Sequence, residues 1–145
     1  MAFKINIGEK SGKTYKLESS APGLVEKEIG GKIDGKEIKS DLEGYEFEIT
    51  GASDKSGFPA LKEVPGTVLQ GVLLKYGKGM HKRPRREGKK PQREPKPKGL
   101  RLRKKARGKV ISEDIVQVNL KVIKEGKTPL SEIFAPSEAP KEDAQ

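Results

Sequence analysis

The sequence predicts a mostly β protein: a small antiparallel β-barrel that carries a long loop rich in Arg and Lys and ends in a disordered acidic tail. Apolar and polar residues alternate along several short segments, which is the pattern of half-buried strands. The 145 residues include 17 Gly and 10 Pro, which mark frequent turns. No apolar pattern of helical period is longer than about two turns. Because closure removes the exposed edges of a sheet, many short strands favour a barrel.

Two strands joined by a tight turn are predicted at the N-terminus. Apolar residues alternate with polar ones over residues 3–7 and again over residues 14–18. The intervening residues 8–14, GEKSGKT, resemble a phosphate-binding loop, in which backbone N–H groups surround phosphates. That motif needs four residues between its glycines and a helix after the Thr, whereas here three residues separate the glycines and a strand pattern follows. The pattern therefore favours a hairpin turn over a nucleotide site.

The middle of the chain predicts further short strands separated by turns. Residues 24–29 and 33–38 are short apolar pieces next to Gly-Gly and Asp-Gly turns, and we interpret them as brief strands or a loop. Residues 68–74 form another apolar run, in which Gly71 predicts a bulge or bend. Alternation is most regular over residues 116–122. The basic segment of the chain lies between these last two predicted strands.

A strand predicted at residues 45–49 has aromatic and branched side chains on one face and Glu46 and Glu48 on the other. Their neighbours are charged and nothing indicates burial, so the two Glu predict a solvated face rather than an acid–base pair. The next loop, residues 53–59, carries Phe58 between Gly and Pro. Since the whole core has only four Phe and three Tyr to draw on, we expect Phe58 to close one end of the barrel rather than to stack on a nucleobase.

The C-terminal part of the chain predicts one short helix and a tail. Residues 128–133 give the best helix pattern, with Thr128 as the cap and Pro129 at the first helical position. Residues 135–145 lack branched and aromatic residues and are predicted to be disordered. We therefore expect a single β-barrel domain over residues 1–134, including a basic loop at residues 78–109.

The charge of the chain is concentrated in one segment. Residues 76–109 hold 16 Lys and Arg against two Glu, a net charge of +14, whereas residues 1–75 have a net charge of −1 and residues 110–145 of −3. All seven Arg fall within this segment. Because the guanidinium group offers a planar set of donors that matches phosphate oxygens and stacks on bases, this segment predicts a contact surface for a polyanion.

The basic side chains of the segment are the predicted contact residues for this polyanion. They are Lys82, Arg83, Arg85, Arg86, Lys89, Lys90, Arg93, Arg101, Arg103, Lys104, Lys105, Arg107 and Lys109.

Other classes of function find little support in the sequence. The absence of Cys excludes disulfide frameworks, zinc fingers, iron–sulfur sites and cysteine nucleophiles, and it agrees with a reducing compartment. His81 is the one His of the chain and predicts a member of the cation patch rather than a metal ligand. The N-terminus lacks a signal-peptide pattern, and no apolar run approaches the ~18 residues of a membrane span. We therefore expect a cytoplasmic protein that is not an enzyme and has no cofactor, metal or membrane partner.

Several segments resemble the archaeal and eukaryotic small-subunit ribosomal protein S-six-e family, and they occur in that family's order. The resemblance extends over about residues 1–133 and is strongest over residues 45–126. The segments are ITGASDKSGFP at 49–59, LLKYGKG at 73–79, RPRREG at 83–88, RKKARGKVI at 103–111 and VNLKVIKEG at 118–126.

The resemblance implies a structural protein of the small ribosomal subunit, built on a small β-barrel and bound as a monomer to ribosomal RNA beside neighbouring ribosomal proteins. Eukaryotic members carry a long basic C-terminal helix with phosphorylated serines, whereas this chain ends in an acidic tail. We therefore expect an archaeal-type member without phosphorylation-linked signalling. Residues 89–100 look like an expansion between the family's segments.

The sequence leaves two alternatives to a ribosomal protein. A free assembly or translation factor with a small β-barrel would show exposed aromatic side chains along its strands. An enzyme acting on a phosphorylated substrate would depend on residues 8–14 alone.

Overall fold

The computed structural model describes residues 2–81 and 98–134. In these ranges the chain forms seven strands and one helical turn, with short 3₁₀ turns between β2 and β4. The bounds of these elements are β1 Phe3–Gly8, β2 Thr14–Ser19, β3 Lys32–Asp34, β4 Glu46–Asp54, β5 Gln70–Lys75, β6 Arg101–Ala106, β7 Ile115–Lys124 and α1 Leu130–Ile133. The 3₁₀ turns are Pro22–Leu24, Gly35–Glu37 and Ser40–Leu42.

The strands form two open sheets, so the prediction of a mostly β fold is confirmed but the closed antiparallel barrel is wrong. Among the described residues, five strands pair in the order β2-β1-β7-β4-β3, and β5 and β6 pair with each other in a separate sheet. β1 runs parallel to β7, whereas the other paired strands are antiparallel.

The larger sheet can remain open because its two edge strands are poor partners for pairing with a further strand. One edge, β3, is only three residues long, and the other, β2, exposes Lys16 and Glu18. Short strands and charged side chains are both common ways to protect a sheet edge. The sequence pattern gives strand number and burial, but it does not distinguish a closed sheet from an open sheet with protected edges.

Each sheet covers its own apolar cluster. The larger cluster is built from the inward residues of β1, β4 and β7, among which Ile5, Phe47 and Val118 are fully buried. Tyr45 and Phe47 stack with ring centroids 5.7 Å apart. The smaller cluster lies under the β5–β6 hairpin and contains Leu61, Val64, Leu74, Met80 and Ala106.

Residues 59–61 join the two sheets. The backbone N–H of Ala60 donates to Ala52 O of β4 at 2.9 Å. On the other side of the segment, Arg107 N donates to Pro59 O at 2.9 Å and Leu61 N to Arg107 O at 3.1 Å. The end of β6 is therefore tied through this segment to the end of β4.

A close backbone approach follows directly after this junction. A Cβ atom at Gly108 would lie 1.8 Å from the carbonyl oxygen of Gly66. The neighbouring N–H of Lys109 donates to Val64 O at 2.8 Å. Only Gly allows this approach, so the chain that leaves β6 after Arg107 requires Gly at position 108 in order to pass Gly66.

The predicted N-terminal hairpin is confirmed. Gly12 N donates to Glu9 O at 3.1 Å and closes the turn, and Thr14 enters β2 directly. Gly12 has φ +92°, a conformation that favours Gly. The residue after the turn starts a strand rather than a helix, so the turn lacks the helix N-terminus that a phosphate-binding loop uses.

Three smaller predictions are corrected. Gly71 pairs in regular register with Lys105, so it forms no bulge; the irregular pairings of the larger sheet lie on β4 instead. Pro129, rather than Thr128, occupies the cap position of α1, and no side chain caps the helix. Phe58 is only half-buried and belongs to neither apolar cluster, so it does not close the end of a barrel.

Candidate nucleic-acid interface

The second half of the predicted basic loop is a strand. Residues 101–106 form β6, which pairs with β5 over its whole length, so the prediction of a loop that continues to residue 109 is wrong. Leu102 and Ala106 alternate with charged residues and pack on the smaller cluster. The high charge of this segment hides a normal strand alternation.

Pairing with β5 places the basic side chains of β6 on one solvent-facing surface. Residues directly opposite each other in an antiparallel pair share a face. The exposed pairs are Gly71 with Lys105, Leu73 with Arg103, and Lys75 with Arg101. We call these six residues the hairpin face.

The hairpin face combines four cations with an exposed apolar centre and contains no acidic residue. Leu73 is 53% exposed, which is unusual for a large aliphatic side chain beside a core. A Cβ at Gly71 would lie 3.8 Å from Cγ and Cδ of Arg103, so the aliphatic stem of this Arg extends across the bare backbone of Gly71. The surface is therefore flat in its middle and positively charged around it.

The other face of the hairpin is turned to the protein. Val72, Leu74 and Leu102 contribute to the smaller cluster. Lys104 lies on this face opposite Val72 and is half-buried, so it is separated from the cations of the hairpin face.

Arg107 is held by acidic groups of the protein. Its Nε and Nη2 lie 2.9 and 2.8 Å from Oδ2 of Asp54, and its Nη1 lies 3.0 Å from Oδ2 of Asp114. The Arg107 side chain is 16% exposed and that of Asp54 only 3%. Asp54 ends β4 and Asp114 precedes β7, so Arg107 connects the exit of the hairpin to two strands of the larger sheet.

The ion pair holds both partners in their charged forms. Burial acts to raise the pKa of Asp54, but the hydrogen bond and charge of Arg107, together with the backbone N–H groups of Lys55 and Ser56, lower this pKa below its ordinary value of 3.8. The hydrogen bond from Arg107 to Asp54 in turn raises the pKa of Arg107. At neutral pH a charged clamp therefore joins the two sheets.

Lys109 also has an acidic partner. Its Nζ lies 2.8 Å from Oε2 of Glu28, next to a backbone bridge between Glu28 and Val110. The Lys109 side chain is 33% exposed. This residue borders the basic surface rather than forming its centre.

The remaining predicted contact residues lie outside the described residues: Lys82, Arg83, Arg85, Arg86, Lys89, Lys90 and Arg93. Residues 82–97 are connected at both ends to the same end of the hairpin, where Lys75 faces Arg101. His81, the last described residue on one side, is exposed, and its ring meets Tyr76 edge-on at 5.7 Å.

Sequence reasoning missed Gly71, Leu73 and Lys75 as members of the surface. Their position in the chain was a hint, because LLKYGKG comes directly before the basic segment. To place these residues on the surface, however, one must know the cross-strand register, which pairs Lys75 with Arg101 and Leu73 with Arg103.

Two other features concern the described part of the chain. No helix in these ranges is long and apolar enough to cross a membrane. Nor do these ranges group three or more His, Asp or Glu side chains in an arrangement that could hold a metal ion.

Comparison with known proteins identifies the family. The model of the family described as ribosomal protein S6e matches residues 3–135. This chain belongs to the ribosomal protein S6e family. The predicted archaeal-type membership is confirmed by the relatives that it resembles.

Three S6e relatives illustrate the similarity, and each is named small ribosomal subunit protein eS6. The protein of Methanothermobacter thermautotrophicus is 41% identical over 95% of this chain and 99% of its own length. That of Methanococcus maripaludis is 40% identical over 90% and 94%, respectively. That of Archaeoglobus fulgidus is 39% identical over 95% and 99%. The S6e match thus includes both sheets and the basic segment between β5 and β6.

Proposed function

We propose that this chain is a structural protein of the small ribosomal subunit and that it binds small-subunit ribosomal RNA through the hairpin face and the basic segment connected to it. The observation that carries this proposal is the cluster of Lys75, Arg101, Arg103 and Lys105 around the exposed Leu73, on a face without acids. The names of the archaeal relatives support the assignment to the small subunit.

The chemistry of the hairpin face suits RNA. Arg101 and Arg103 each offer a planar set of N–H donors that can bind a phosphate with two hydrogen bonds or stack on a base. Leu73 lies directly opposite Arg103 and supplies an apolar surface on which a sugar or base can pack. An RNA that buries this apolar surface is bound in preference to one that cannot reach it, whereas the four cations give affinity for the phosphates of any RNA.

The predicted contact residues divide into three groups under this proposal. Arg101, Arg103 and Lys105 belong to the hairpin face. Arg107 acts as the clamp between the sheets and Lys109 borders the surface, while Lys104 lies on the protein-facing side of the hairpin. The third group, the basic residues between 82 and 93, extends the contact by virtue of its charge.

A free nucleic-acid-binding factor is less well supported. Such a protein stacks bases on aromatic side chains exposed along its strands. In the described ranges the exposed large apolar side chains are Val68 and Leu73, and neither is aromatic. We therefore propose ribosomal neighbours, a single copy per subunit and a cytoplasmic location.

A salt titration tests the RNA-binding surface. Arg101→Ala/Arg103→Ala/Lys105→Ala is compared with Lys10→Ala/Lys55→Ala/Lys127→Ala, which removes three exposed lysines elsewhere. The probe is archaeal small-subunit ribosomal RNA transcribed in vitro. We expect the hairpin variant to bind at least tenfold more weakly, with a salt slope reduced by about 2–3 log units per log unit of salt. Equal losses in the two variants would show that only net charge matters and would contradict the proposal.

Membership of the small subunit is tested separately. A tagged copy of the chain expressed in an archaeon is followed through sucrose gradients before and after a high-salt wash. A subunit protein stays with the small subunit in the washed sample, whereas a free factor is released. Release by the wash would favour the factor.

A further inference from the structure

The solvent-facing side of the larger sheet carries three adjacent side-chain amides. Asn6 on β1 lies opposite Asn119 on β7, and Gln117 is two residues from Asn119 on the same face. Oδ1 of Asn119 accepts hydrogen bonds from Nδ2 of Asn6 at 3.0 Å and from Nε2 of Gln117 at 3.1 Å. We call these three half-buried residues the amide cluster.

The two hydrogen bonds leave part of each amide unused. These bonds do not use the carbonyl oxygens of Asn6 and Gln117, which are acceptors, or the amide nitrogen of Asn119, which is a donor. The cluster therefore presents two acceptors and a donor side by side, in positions fixed by the shared Oδ1.

Strand formation alone does not explain these residues. Asn is depleted in β-strands because it neither packs well on the pleated surface nor favours extended backbone. Here two Asn occupy paired positions of β7, the central strand of the sheet, and β1, the strand parallel to it. Such a choice on a solvent face points to a contact with a partner.

The surroundings of the amide cluster are basic. Lys4, Lys16 and Lys121 are exposed on the same face, and Nζ of Lys78 donates to Thr50 O at 2.9 Å on its far side. Two acids lie among them, Glu18 opposite Lys4 and Glu48 opposite Lys121. Four cations against two anions leave the face positive.

The two sides of the amide cluster differ in shape. Gly8, two residues beyond Asn6, leaves the backbone of β1 bare, whereas the Lys78 side chain covers Gly51, the partner of Asn119, with its Nζ 3.4 Å from where a Cβ of Gly51 would lie. A depression of about 340 Å³ is lined by Lys4, Asn6, Lys16 and Gln117 among others. Three neighbouring strands span about 10 Å and five residues of β1 about 13 Å, so a wide groove can lie across the face.

We propose that this face binds double-helical RNA across its minor groove. The minor groove of A-form RNA is wide and shallow and displays 2′-hydroxyl groups, which both donate and accept hydrogen bonds. The amide cluster offers the matching acceptors and donor, and the flanking lysines reach the phosphates at the groove edges. This inference rests on the proposed function, since it adds a second RNA-binding surface to the hairpin face.

The test compares three duplexes of one sequence and about 20 base pairs, longer than the roughly 16 base pairs that double-stranded RNA-binding domains span. They are RNA, RNA with 2′-O-methyl groups on both strands, and DNA. We expect the full chain to bind the RNA about tenfold more tightly than the other two. The variant Asn6→Thr/Asn119→Thr keeps good strand formers but removes the cluster, and it should bind all three duplexes equally.

Three further variants separate the possible outcomes. Gln70→Thr removes an exposed amide from β5 and should keep the preference for RNA. Arg101→Ala/Arg103→Ala/Lys105→Ala should weaken binding to all three duplexes and also keep the preference; unchanged affinity in this variant would count against the proposed function rather than this inference. Lys4→Gln/Lys16→Gln changes only exposed side chains and should weaken binding about fivefold.

Two results would overturn the inference. One is a wild-type chain without preference for the duplex that carries 2′-hydroxyl groups. The other is a preference that survives in a folded Asn6→Thr/Asn119→Thr variant with the wild-type melting temperature. If that variant does not fold, wild-type affinity in Lys4→Gln/Lys16→Gln has the same meaning.

Discussion

The ion pair between Asp54 and Arg107 illustrates how a residue type can mislead when its partner is distant. Arg107 looks like a further RNA contact because it continues a basic run. Its guanidinium instead meets a carboxylate 53 residues earlier in the chain. A buried carboxylate at a strand end requires a partner, because an unpaired buried charge is costly. Sequence alone identifies neither the burial of Asp54 nor the partner.

We predict that Asp54→Asn lowers the free energy of unfolding by about 2–3 kcal/mol at pH 7, because it leaves the Arg107 charge without its main partner. Since folding lowers the pKa of Asp54, the carboxylate stabilises the fold above its ordinary pKa of 3.8, and this contribution is lost as the pH falls through the lower pKa of the folded state. The difference between wild type and variant should therefore shrink below about pH 4. Urea unfolding at pH 7, 5 and 3 measures it.

Asp114→Asn is the matched control, because Asp114 contacts the same guanidinium but its side chain is 53% exposed. This substitution should cost less than about 1 kcal/mol, as expected for a surface pair. Equal effects of the two substitutions, or a difference for Asp54→Asn that does not depend on pH, would contradict the clamp.

At the level of elements, alternation identified the strands of the larger sheet well. Over residues 3–7, 45–49 and 116–122 one face is apolar and the other polar, so the pattern is easy to read, and the structure places β1, β4 and β7 there. The hairpin turn at residues 8–14 was equally clear from its glycines. What the patterns did not contain was the parallel pairing of β1 with β7, which depends on contacts between the two ends of the chain.

The strand β6 was missed because its many charged residues make the alternation of apolar and polar positions hard to recognise. Four of its six residues are Lys or Arg, so it resembles a disordered basic arm. The alternation of Leu102 and Ala106 against exposed Arg101 and Arg103 is that of an ordinary amphipathic strand. Half of the candidate site could thus be predicted by residue type, whereas its flat, paired geometry could not.

We expect β6 to be ordered without RNA. Its backbone pairs with β5 along all six residues, and Leu102 and Ala106 contribute to the smaller cluster, so ordering is offset by burial and pairing within the protein. In amide hydrogen exchange of the isolated protein, the N–H groups of residues 101–106 that pair with β5 should be protected to the same degree as those of β5. Exchange of these groups at the rate of unprotected amides would contradict the paired strand and favour an arm that orders only on RNA.

At the scale of the whole molecule, the residues that build the larger sheet and the residues that carry most of the positive charge lie in different segments of the chain. The larger sheet and its cluster are built from segments whose net charge is close to zero or negative, whereas residues 76–109 hold +14. The clamp at Arg107 and the junction at residues 59–61 connect the two parts. Because β6 pairs with β5 along its whole length, the cations of the hairpin face are presented from a fixed position on the surface.

This arrangement predicts that Arg and Lys differ in what they contribute to RNA binding. Replacing Arg83, Arg85 and Arg86 with Ala removes charge, so affinity should fall, and the salt slope should decrease by about 0.7–0.9 for each phosphate that is no longer neutralised. Replacing the same three with Lys keeps the charge and most of the slope but removes the planar groups that can bind a phosphate with two hydrogen bonds and stack on bases.

In the triple Lys variant, discrimination between small-subunit ribosomal RNA and a scrambled RNA of equal length should therefore fall further than affinity for the scrambled RNA does. Salt titrations of wild type and both variants against the two RNAs measure this, and a triple Lys variant that matches wild type on both would reduce the segment to a generic polycation.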